Sequence, residues 1–171
     1  GRKNSKGLKN KNIKKINGIP LIAHSIKQAQ KSKLFNKIVV STDDKKISSI
    51  SKKYDVDLVI TRGHKLSNSR SAKIPVIRDA LLKSEIFFNC KFDYIVDLDA
   101  TSPLRLFSDI KKNIEKILKE KKNLLFSVSE AKKNPYFNMI EKKDGFYKLV
   151  KNKKKFLIQT RQSAPKIFEL N

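Results

Sequence analysis

The sequence predicts an α/β domain built on a mainly parallel sheet, and two observations support this prediction. Short apolar, β-branched runs of the buried-strand type recur along the chain, and segments with apolar residues at helical spacing separate them. The chain has 171 residues, 39% of them hydrophobic, which suffices for one domain with a sizeable core. Strands that alternate with helices are typical of a parallel sheet flanked by helices, where ligands bind at the carboxyl ends of the strands.

The elements follow one another in a regular order. Strands are expected at 37–42, 56–60, 93–99 and 123–130. Helices are expected at 20–33, 43–54, 74–87 and 107–122. Beyond residue 130 the run "FNMIEKKDGFYKLV" predicts a hairpin whose turn is Asp144-Gly145, so we expect 131–160 to be an excursion that covers the site.

The composition limits the classes of function. The formal net charge is +24, but only six of the 40 basic residues are arginines, and the lysines are scattered over every segment. A nucleic-acid-binding protein would instead gather its basic residues on one face, beside aromatic or groove-reading elements. Cys90 is the only cysteine, and no apolar run is long enough to span a membrane. We therefore expect a soluble cytoplasmic protein with neither a membrane nor a nucleic-acid partner.

The opening segment "GRKNSKGLKNKN" permits two interpretations. Glycines, a serine hydroxyl and Lys6 lie within seven residues, which suits a loop that binds phosphate. The spacing is not that of a GxxxxGK[ST] loop, and two glycines are a weak signal. A frayed basic terminus explains the same residues equally well.

The segment "DYIVDLDATSPLR" carries the strongest candidate chemistry. Asp97 and Asp99 are two residues apart on the expected strand and face the same side, with Asp99 at its carboxyl end. A carboxylate there suits Mg²⁺ held against nucleotide phosphates, whereas Asp97 is better explained as structural. Thr101 and Ser102 add hydroxyls and Arg105 a guanidinium. The alternative is that Asp99 caps the turn and Arg105 pairs with it.

Other polar residues receive structural assignments. In "STDD" (41–44), Thr42 or Asp43 is expected to be the N-cap of the following helix. His24 lies in a helical pattern and His64 in a polar loop, and neither has a metal-binding neighbour at the required spacing. We therefore assign neither histidine to catalysis.

Several segments together resemble one family, the CMP-sialic acid synthetases, or acylneuraminate cytidylyltransferases. "RKNSKGLKNKNIKKINGIPLIAHSI" is similar to the family's N-terminal signature, and "FNKIVVSTDD" to its second strand and turn. "LDATSPLR" is similar to its "LQPTSPLR" element, "SVSEAKKNPYFNMIE" to a later strand and loop, and "TRQSAPKIFELN" to a segment before a further strand. The match follows the family's order along nearly the whole chain.

The resemblance implies a fold, a reaction and a set of site residues. The fold is a Rossmann-like, three-layer α/β/α nucleotidyltransferase. The reaction transfers CMP from CTP, with Mg²⁺, to the anomeric hydroxyl of a nine-carbon acidic sugar and releases pyrophosphate. The implied triphosphate-facing and catalytic residues are Arg2, Lys6 and Lys11, with Ser5 beside them and Lys11 near the reacting phosphorus. Asn12 and Arg62 would contact the base, and Arg161, Gln162, Asn134 and Tyr136 the acidic sugar.

Some positions depart from the family pattern. Asp99 stands where many members have Gln, which implies an added metal ligand and resembles the synthetases for legionaminic-type sugars. Lys73 stands where a nucleotide-contacting Ser is frequent, so it becomes a nucleotide-binding candidate. We interpret residues 1–171 as a single nucleotidyltransferase domain, and as a fragment without the family's first strand and C-terminal region. Homodimerisation of the full-length protein is implied by the family.

Alternative functions remain open at this point. Within the same class, the alternative is a cytidylyltransferase for an eight-carbon 3-deoxy sugar acid. From another class, the high charge permits a basic nucleic-acid-binding protein. An inactive protein of the same fold is a third possibility.

Overall fold

The computed structural model of the chain describes residues 8–67, 72–151, 158 and 160–170. It divides into two compact units, Gly1–Lys116 and Ile117–Asn171, which are described separately below. Within the described ranges no helix is long and apolar enough to cross a membrane.

The first unit begins with a short hairpin that leads into a helix. A 3₁₀ turn at Lys11–Ile13 precedes strands β1 (Lys15–Ile16) and β2 (Ile19–Pro20), which pair antiparallel. Between them, Asn17 and Gly18 have φ of 49° and 76°, as a two-residue type I′ turn requires. Helix α1 (Leu21–Ser32) follows directly, and the predicted helix at 20–33 is confirmed.

A strand–helix–strand unit forms the centre of this first unit. Strands β3 (Val39–Thr42) and β4 (Leu58–Thr61) pair parallel, with Thr42 opposite Thr61, and helix α2 (Lys45–Lys53) connects them. The core at this point is a cluster of small and branched apolar side chains from α1, β3, α2 and the loop at residue 100: Ile22, Ile26, Val40, Ile47 and Ala100. The loop is thus packed into the core itself.

The N-cap of α2 differs from the prediction. The cap is Asp44, whose Oδ1 accepts from the backbone N–H groups of Lys46 (2.7 Å) and Ile47 (3.3 Å). Thr42 lies two residues earlier, where its hydroxyl oxygen accepts from the N–H of Asp44 at 3.1 Å. The prediction of Thr42 or Asp43 is wrong because β3 extends to Thr42 and the helix starts at Lys45.

The second half of the first unit contains helix α3 (Lys73–Phe88) and most of helix α4 (Phe107–Glu120), whose last turn belongs to the second unit. Both helices are close to the predicted ranges. The strand expected at 93–99 does not form. A strand needs a hydrogen-bonded neighbour, and no described residue pairs with this segment as one. Its apolar side chains Tyr94, Ile95 and Val96 are exposed rather than buried. The apolar pattern predicted that these side chains are buried, whereas in the structure they are exposed.

The second unit consists of two antiparallel strand pairs. Strand β5 (Val128–Glu130) pairs with β8 (Phe168–Leu170), and β6 (Ile140–Lys143) pairs with β7 (Phe146–Leu149). The predicted hairpin is confirmed: Asp144 and Gly145 form its turn, with φ of 54° and 82°. Strand β5 is shorter than the 123–130 expected.

The described strands form four separate two-stranded sheets, of which β3–β4 is parallel. The mixed α/β class is therefore confirmed, whereas one extended, mainly parallel sheet is not seen in this part of the chain. The interpretation of 1–171 as a single domain stays a prediction.

Candidate active site

The loop from Asp99 to Arg105 is held against helix α1 by hydrogen bonds. Ser25 donates its hydroxyl to the carbonyl of Asp99 at 3.1 Å. Gln28 donates its amide to the carbonyls of Pro103 (2.7 Å) and Arg105 (2.6 Å). With Ala100 buried in the core, these bonds fix the loop at several successive residues. The loop is therefore a built structure attached to the most buried helix of this unit.

Arg105 binds the backbone of the same loop. Its Nη2 donates to the carbonyl of Asp99 at 3.1 Å, and its Nη1 donates to Oε1 of Gln28 at 3.2 Å. The Asp99 carboxylate instead accepts from the N–H (3.4 Å) and hydroxyl (3.2 Å) of Thr101. Asp99 thus caps its turn, as the structural alternative expected, while Arg105 pairs with the Asp99 carbonyl rather than with its carboxylate. The Ser102 N–H also donates to that carbonyl, at 3.3 Å.

Lys73 links this loop to the start of α3. Its Nζ lies 2.6 Å from Oδ2 of Asp97 and 3.6 Å from Oδ2 of Asp99. The two carboxylates therefore face one cation, as their two-residue spacing predicted, although no strand forms there. We name Lys73, Asp97 and Asp99 the carboxylate–lysine cluster.

The cluster shifts the pKa of two of its members. The hydrogen bond to Asp97 raises the pKa of Lys73; partial burial opposes this, and the charges of both carboxylates add to it. For Asp99, partial burial raises the pKa, but the Thr101 N–H and the charge of Lys73 outweigh it, so the net shift is downward. Both pKa shifts favour the charged forms, so Lys73 and Asp99 face each other as an ion pair.

The donor set of the cluster fits a hard divalent cation. Mg²⁺ is bound in proteins through one or two carboxylates together with water and substrate phosphates. Asp97 and Asp99 supply two carboxylates directed at one position, and the Lys73 ammonium is the cation that stands there. Within the described ranges no group of three His, Cys, Asp or Glu side chains is placed to bind a metal. The binding of Mg²⁺ by Asp99, which the sequence predicts, stays a prediction.

Arg62 lies at the carboxyl end of β4 and is folded against the neighbouring strand. Its backbone N–H donates to the Thr42 carbonyl at 2.8 Å. Its guanidinium donates through Nη2 to the Ser41 carbonyl (2.9 Å) and through Nε to the Ser41 hydroxyl (3.3 Å). The guanidinium thus fixes the carboxyl ends of β3 and β4 to each other. Its predicted contact with the base stays a prediction.

Lys11 and Asn12 lie in the 3₁₀ turn that precedes the first hairpin. Lys11 is half-buried and Asn12 is buried, and the adjacent Ile13 packs on the core cluster. The turn is closed by the Ile13 N–H, which donates to the carbonyl of Asn10 at 3.0 Å. This part of the predicted phosphate loop is therefore anchored to the core. The predicted residues Arg2, Ser5 and Lys6 lie outside the described residues.

In the second unit, Asn134 organises the predicted sugar-contacting loop. Its Nδ2 donates to the carbonyl of Pro165 at 2.9 Å, and its Oδ1 accepts from the N–H of Tyr136 at 2.9 Å. Its own N–H donates to Oδ1 of Asn138 at 2.7 Å. Tyr136 presents its ring to the ammonium of Lys151, 5.6 Å from the ring centroid. Asn134 therefore joins the loop at 134–138 to the segment that follows residue 162.

Arg161 and Gln162 are exposed and lie in a tight turn. Thr160 and Ser163 close this turn, because the Ser163 hydroxyl donates to the Thr160 carbonyl at 2.9 Å. The Ala164 N–H donates to the Arg161 carbonyl at 3.3 Å. The turn presents both side chains to solvent, and the Asn134–Pro165 bond ties the chain just after it to the Tyr136 loop.

Sequence reasoning missed the residues that support the site. Ser25 and Gln28 hold the Asp99–Arg105 loop, whereas the common side of Asp97 and Asp99 was predicted from their spacing. A signal for the first two was present: they are polar residues three positions apart on a helix whose inner face is otherwise apolar. His24, left unassigned, contacts the carbonyl of Ile16 at 3.1 Å.

Comparisons with known proteins place the chain in a family. The family model described as "Cytidylyltransferase" matches residues 1–171. The chain is 48% identical over 170 residues to "Post-translational flagellin modification protein B" of Campylobacter coli, covering 99% of this chain and 71% of that protein. It is also 48% identical over 170 residues, with the same coverage, to "CMP-N,N'-diacetyllegionaminic acid synthase" of Campylobacter jejuni.

A solved structure supports the fold. The structure of CMP:2-keto-3-deoxy-manno-octonic acid synthetase complexed with CTP superposes with a TM-score of 0.56 at 18% identity. The match covers 75% of this chain and 47% of that one, so the chain spans about half the length of that synthetase. At this identity the likeness concerns the fold alone. The family match along the whole sequence and the two relatives at 48% identity confirm the family resemblance: this chain belongs to the cytidylyltransferases.

Proposed function

We propose that this protein transfers CMP from CTP to the anomeric hydroxyl of a sialic-acid-like nonulosonic acid, with a legionaminic acid as the foremost substrate. The observation that carries the proposal is the 48% identity, over 170 residues, to the CMP-N,N'-diacetyllegionaminic acid synthase of C. jejuni. In this reaction the anomeric hydroxyl loses its proton as its oxygen attacks the α-phosphorus of CTP, and the bond from that phosphorus to pyrophosphate breaks. The products are the CMP-sugar, pyrophosphate and one proton. The flagellin modification protein among the relatives supports a role in surface glycan formation.

The chain's own residues have distinct tasks in this proposal. Lys11, Arg2 and Lys6 would neutralise the triphosphate and the negative charge that grows on the leaving pyrophosphate, and the Ser5 hydroxyl would donate to a phosphate oxygen. Arg62 and Asn12 would contact the base, and Lys73 is the nucleotide-binding candidate at the start of α3. Asp99, with Asp97 beside it, would hold Mg²⁺, and the ion would supply charge neutralisation at the phosphate oxygens.

The acidic sugar is assigned to a second set of residues. Arg161 suits the sugar's carboxylate because a guanidinium binds two carboxylate oxygens side by side. Gln162, Asn134 and Tyr136 are its proposed neighbours, and the Asn134–Pro165 bond supports grouping the loop with the turn. Thr101, Ser102 and Arg105 complete the proposed set, with Arg105 shaping the loop through the Asp99 carbonyl.

Three broader features of the protein are part of the same proposal. The full-length fold is a three-layer α/β/α nucleotidyltransferase with a mainly parallel sheet, and the likeness to the octonic acid synthetase supports it. A homodimer is proposed from the family. A cytoplasmic location is proposed because Cys90 is a free thiol, which is typical of reducing compartments.

The test is a panel of acidic sugars incubated with CTP and Mg²⁺, with pyrophosphate release as the readout. Legionaminic, sialic and pseudaminic acids and an eight-carbon 3-deoxy sugar acid make up the panel. We expect release with a nonulosonic acid and its loss in Lys11→Ala. Lys14→Ala is the matched control, because Lys14 is an exposed lysine of the same segment.

Two outcomes would overturn the proposal. Turnover of the eight-carbon acid alone would show that the protein is a cytidylyltransferase for an eight-carbon 3-deoxy sugar acid. Tight RNA or DNA binding at physiological salt, with no turnover of any acidic sugar, would indicate a nucleic-acid-binding protein instead.

A further inference from the structure

A groove between the first hairpin and helix α2 has no task in the proposed reaction. Its volume is about 520 Å³, and its floor consists of half-buried apolar side chains: Ile13, Pro20, Ile50 and Tyr54. We name it the hairpin–α2 groove. We infer that it docks an extended acidic segment of a partner protein, in which an apolar side chain lies between carboxylates.

The floor and the walls of the groove are held in place by other contacts. Ile13, Ile50 and Tyr54 pack against the core cluster as well as lining the groove. The hairpin that forms one wall is closed at its base, where the Leu21 N–H donates to the Lys14 carbonyl at 2.8 Å. The groove is therefore formed before a partner binds, which lowers the entropic cost of docking.

Three lysines stand around this apolar floor. Lys15 belongs to the hairpin, and Lys46 and Lys53 belong to α2. All three are exposed, and in the part of the chain that the structure describes none of them forms an ion pair. The described lining of the groove includes no Asp or Glu. The groove thus presents three uncompensated positive charges, and an acidic partner is complementary to it.

The spacing along α2 indicates the length of the docked segment. Lys46, Ile50 and Lys53 share one face of the helix, opposite the buried Ile47. Seven residues separate the two lysines, and a helix covers that distance in about 10 Å. An extended chain covers it in about three residues. Carboxylates three or four residues apart can therefore reach both lysines while a side chain between them contacts Ile50.

The shape of the groove favours a peptide segment over a small molecule. A pocket for a small molecule encloses most of its ligand, whereas this floor is only half-buried and its lysines are exposed. A second copy of this chain is a poor occupant, because Asp43-Asp44 is the only pair of adjacent acidic residues in the sequence. Asp44 is buried as the N-cap of α2. The occupant is therefore an acidic segment of a different protein.

The experiment measures binding of an acidic peptide to the full chain by fluorescence anisotropy at about 0.15 M salt. The probe is Glu-Glu-Leu-Leu-Glu-Glu with fluorescein at its N-terminus. We expect Lys46→Glu combined with Lys53→Glu to weaken binding about tenfold, because two attractive charges become repulsive.

Lys45→Glu combined with Lys52→Glu is the matched control. These lysines have the same spacing on the same helix and give the same net charge, but neither lines the groove. The control therefore separates docking in the groove from general attraction to a chain of net charge +24. We expect its affinity to stay within about twofold of the unchanged chain, because salt screens charges outside the contact.

A second peptide tests the apolar floor. Glu-Glu-Ser-Ser-Glu-Glu carries the same charge and label but no apolar side chain, so we expect about tenfold weaker binding. Equal weakening in the two double variants, or equal affinity for the two peptides, would overturn the inference. So would the absence of binding by the leucine peptide, whether or not RNA or phosphatidylserine vesicles bind. None of these results depends on turnover of CTP or sugar.

Discussion

Gln28 and Arg105 are joined by a reciprocal pair of hydrogen bonds. The Gln28 amide N–H group donates to the Arg105 carbonyl at 2.6 Å, and its amide oxygen accepts from the Arg105 guanidinium at 3.2 Å. The same amide also reaches the Pro103 carbonyl. The Gln28 side chain thus fixes the position of both the backbone and the side chain of Arg105, the last residue of the loop.

Gln28→Ala should loosen the Asp99–Arg105 loop. Removal of the amide leaves part-buried carbonyls without a donor, which costs about 1–3 kcal/mol of unfolding free energy. Because Arg105 also loses an acceptor, we expect a higher KM for the acidic sugar. Urea unfolding and steady-state kinetics measure the two effects. Gln30→Ala is the control, since Gln30 lies on the same helix and donates to the Tyr54 carbonyl; an equal rise in KM there would refute the positioning role of Gln28.

Asp44→Ala should destabilise the first unit through helix α2. Asp44 is buried, and its carboxylate accepts from two N–H groups at the helix start. Loss of such a cap costs about 0.5–2 kcal/mol. Asp44→Asn keeps an acceptor oxygen and should lose much less. Thermal or urea unfolding of both variants decides the matter, and equal losses would mean that Asp44 acts by charge rather than as a cap.

The Glu85–Lys91 pair should make stability depend on acid pH. The Lys91 ammonium donates to Glu85 Oε2 at 2.7 Å and, with the Phe92 N–H, holds the pKa of Glu85 below its usual value. A depressed folded-state pKa contributes stability above the unfolded pKa of about 4.3, and this contribution is lost as the pH falls through the folded-state value.

The measurement compares the unchanged chain with Glu85→Gln by urea unfolding between about pH 7 and about pH 3. We expect the unchanged chain to be the more stable at neutral pH and the difference to shrink in acid. A difference that stays constant over this range would show that the carboxylate's charge contributes nothing.

Asn134→Asp should disturb the loop at 134–138 more than Asn138→Asp does. Asn134 needs its amide N–H to donate to the Pro165 carbonyl, and a carboxylate there would repel that oxygen. Asn138 uses its side-chain oxygen as an acceptor from the Asn134 N–H, which an aspartate retains. We expect Asn134→Asp to lose about 1–3 kcal/mol of unfolding free energy and to raise the KM for the sugar. The reverse order of the two variants would exclude this role of Asn134.

Local chemistry made part of the fold predictable. The Asp144-Gly145 turn was predictable because both residues tolerate positive φ, and the structure places them at 54° and 82°. The four helices were predictable from apolar spacing, which depends on neighbours a few residues away. The N-cap of α2 was missed because Thr42, Asp43 and Asp44 are all suitable cap residues, and the end of β3 selects among them.

Contacts between distant segments were not predictable in the same way. The pattern at 93–99 predicted a buried strand, but the described chain supplies no partner strand and leaves Ile95 and Val96 exposed. The spacing of Asp97 and Asp99 correctly indicated a common side. That Lys73 joins them depends on how α3 is placed, more than 20 residues earlier in the sequence.

Ala100 is buried among the side chains of α1, β3 and α2 while its neighbours on either side, Asp99 and Thr101, face outward to the site. Substitutions that change the side-chain volume at Ile22 or Ile26 are therefore expected to shift Ala100 and, through one peptide unit, the position of Asp99. In a library of core variants, we therefore expect the melting temperature and any property that depends on the Asp99 carboxylate to vary together.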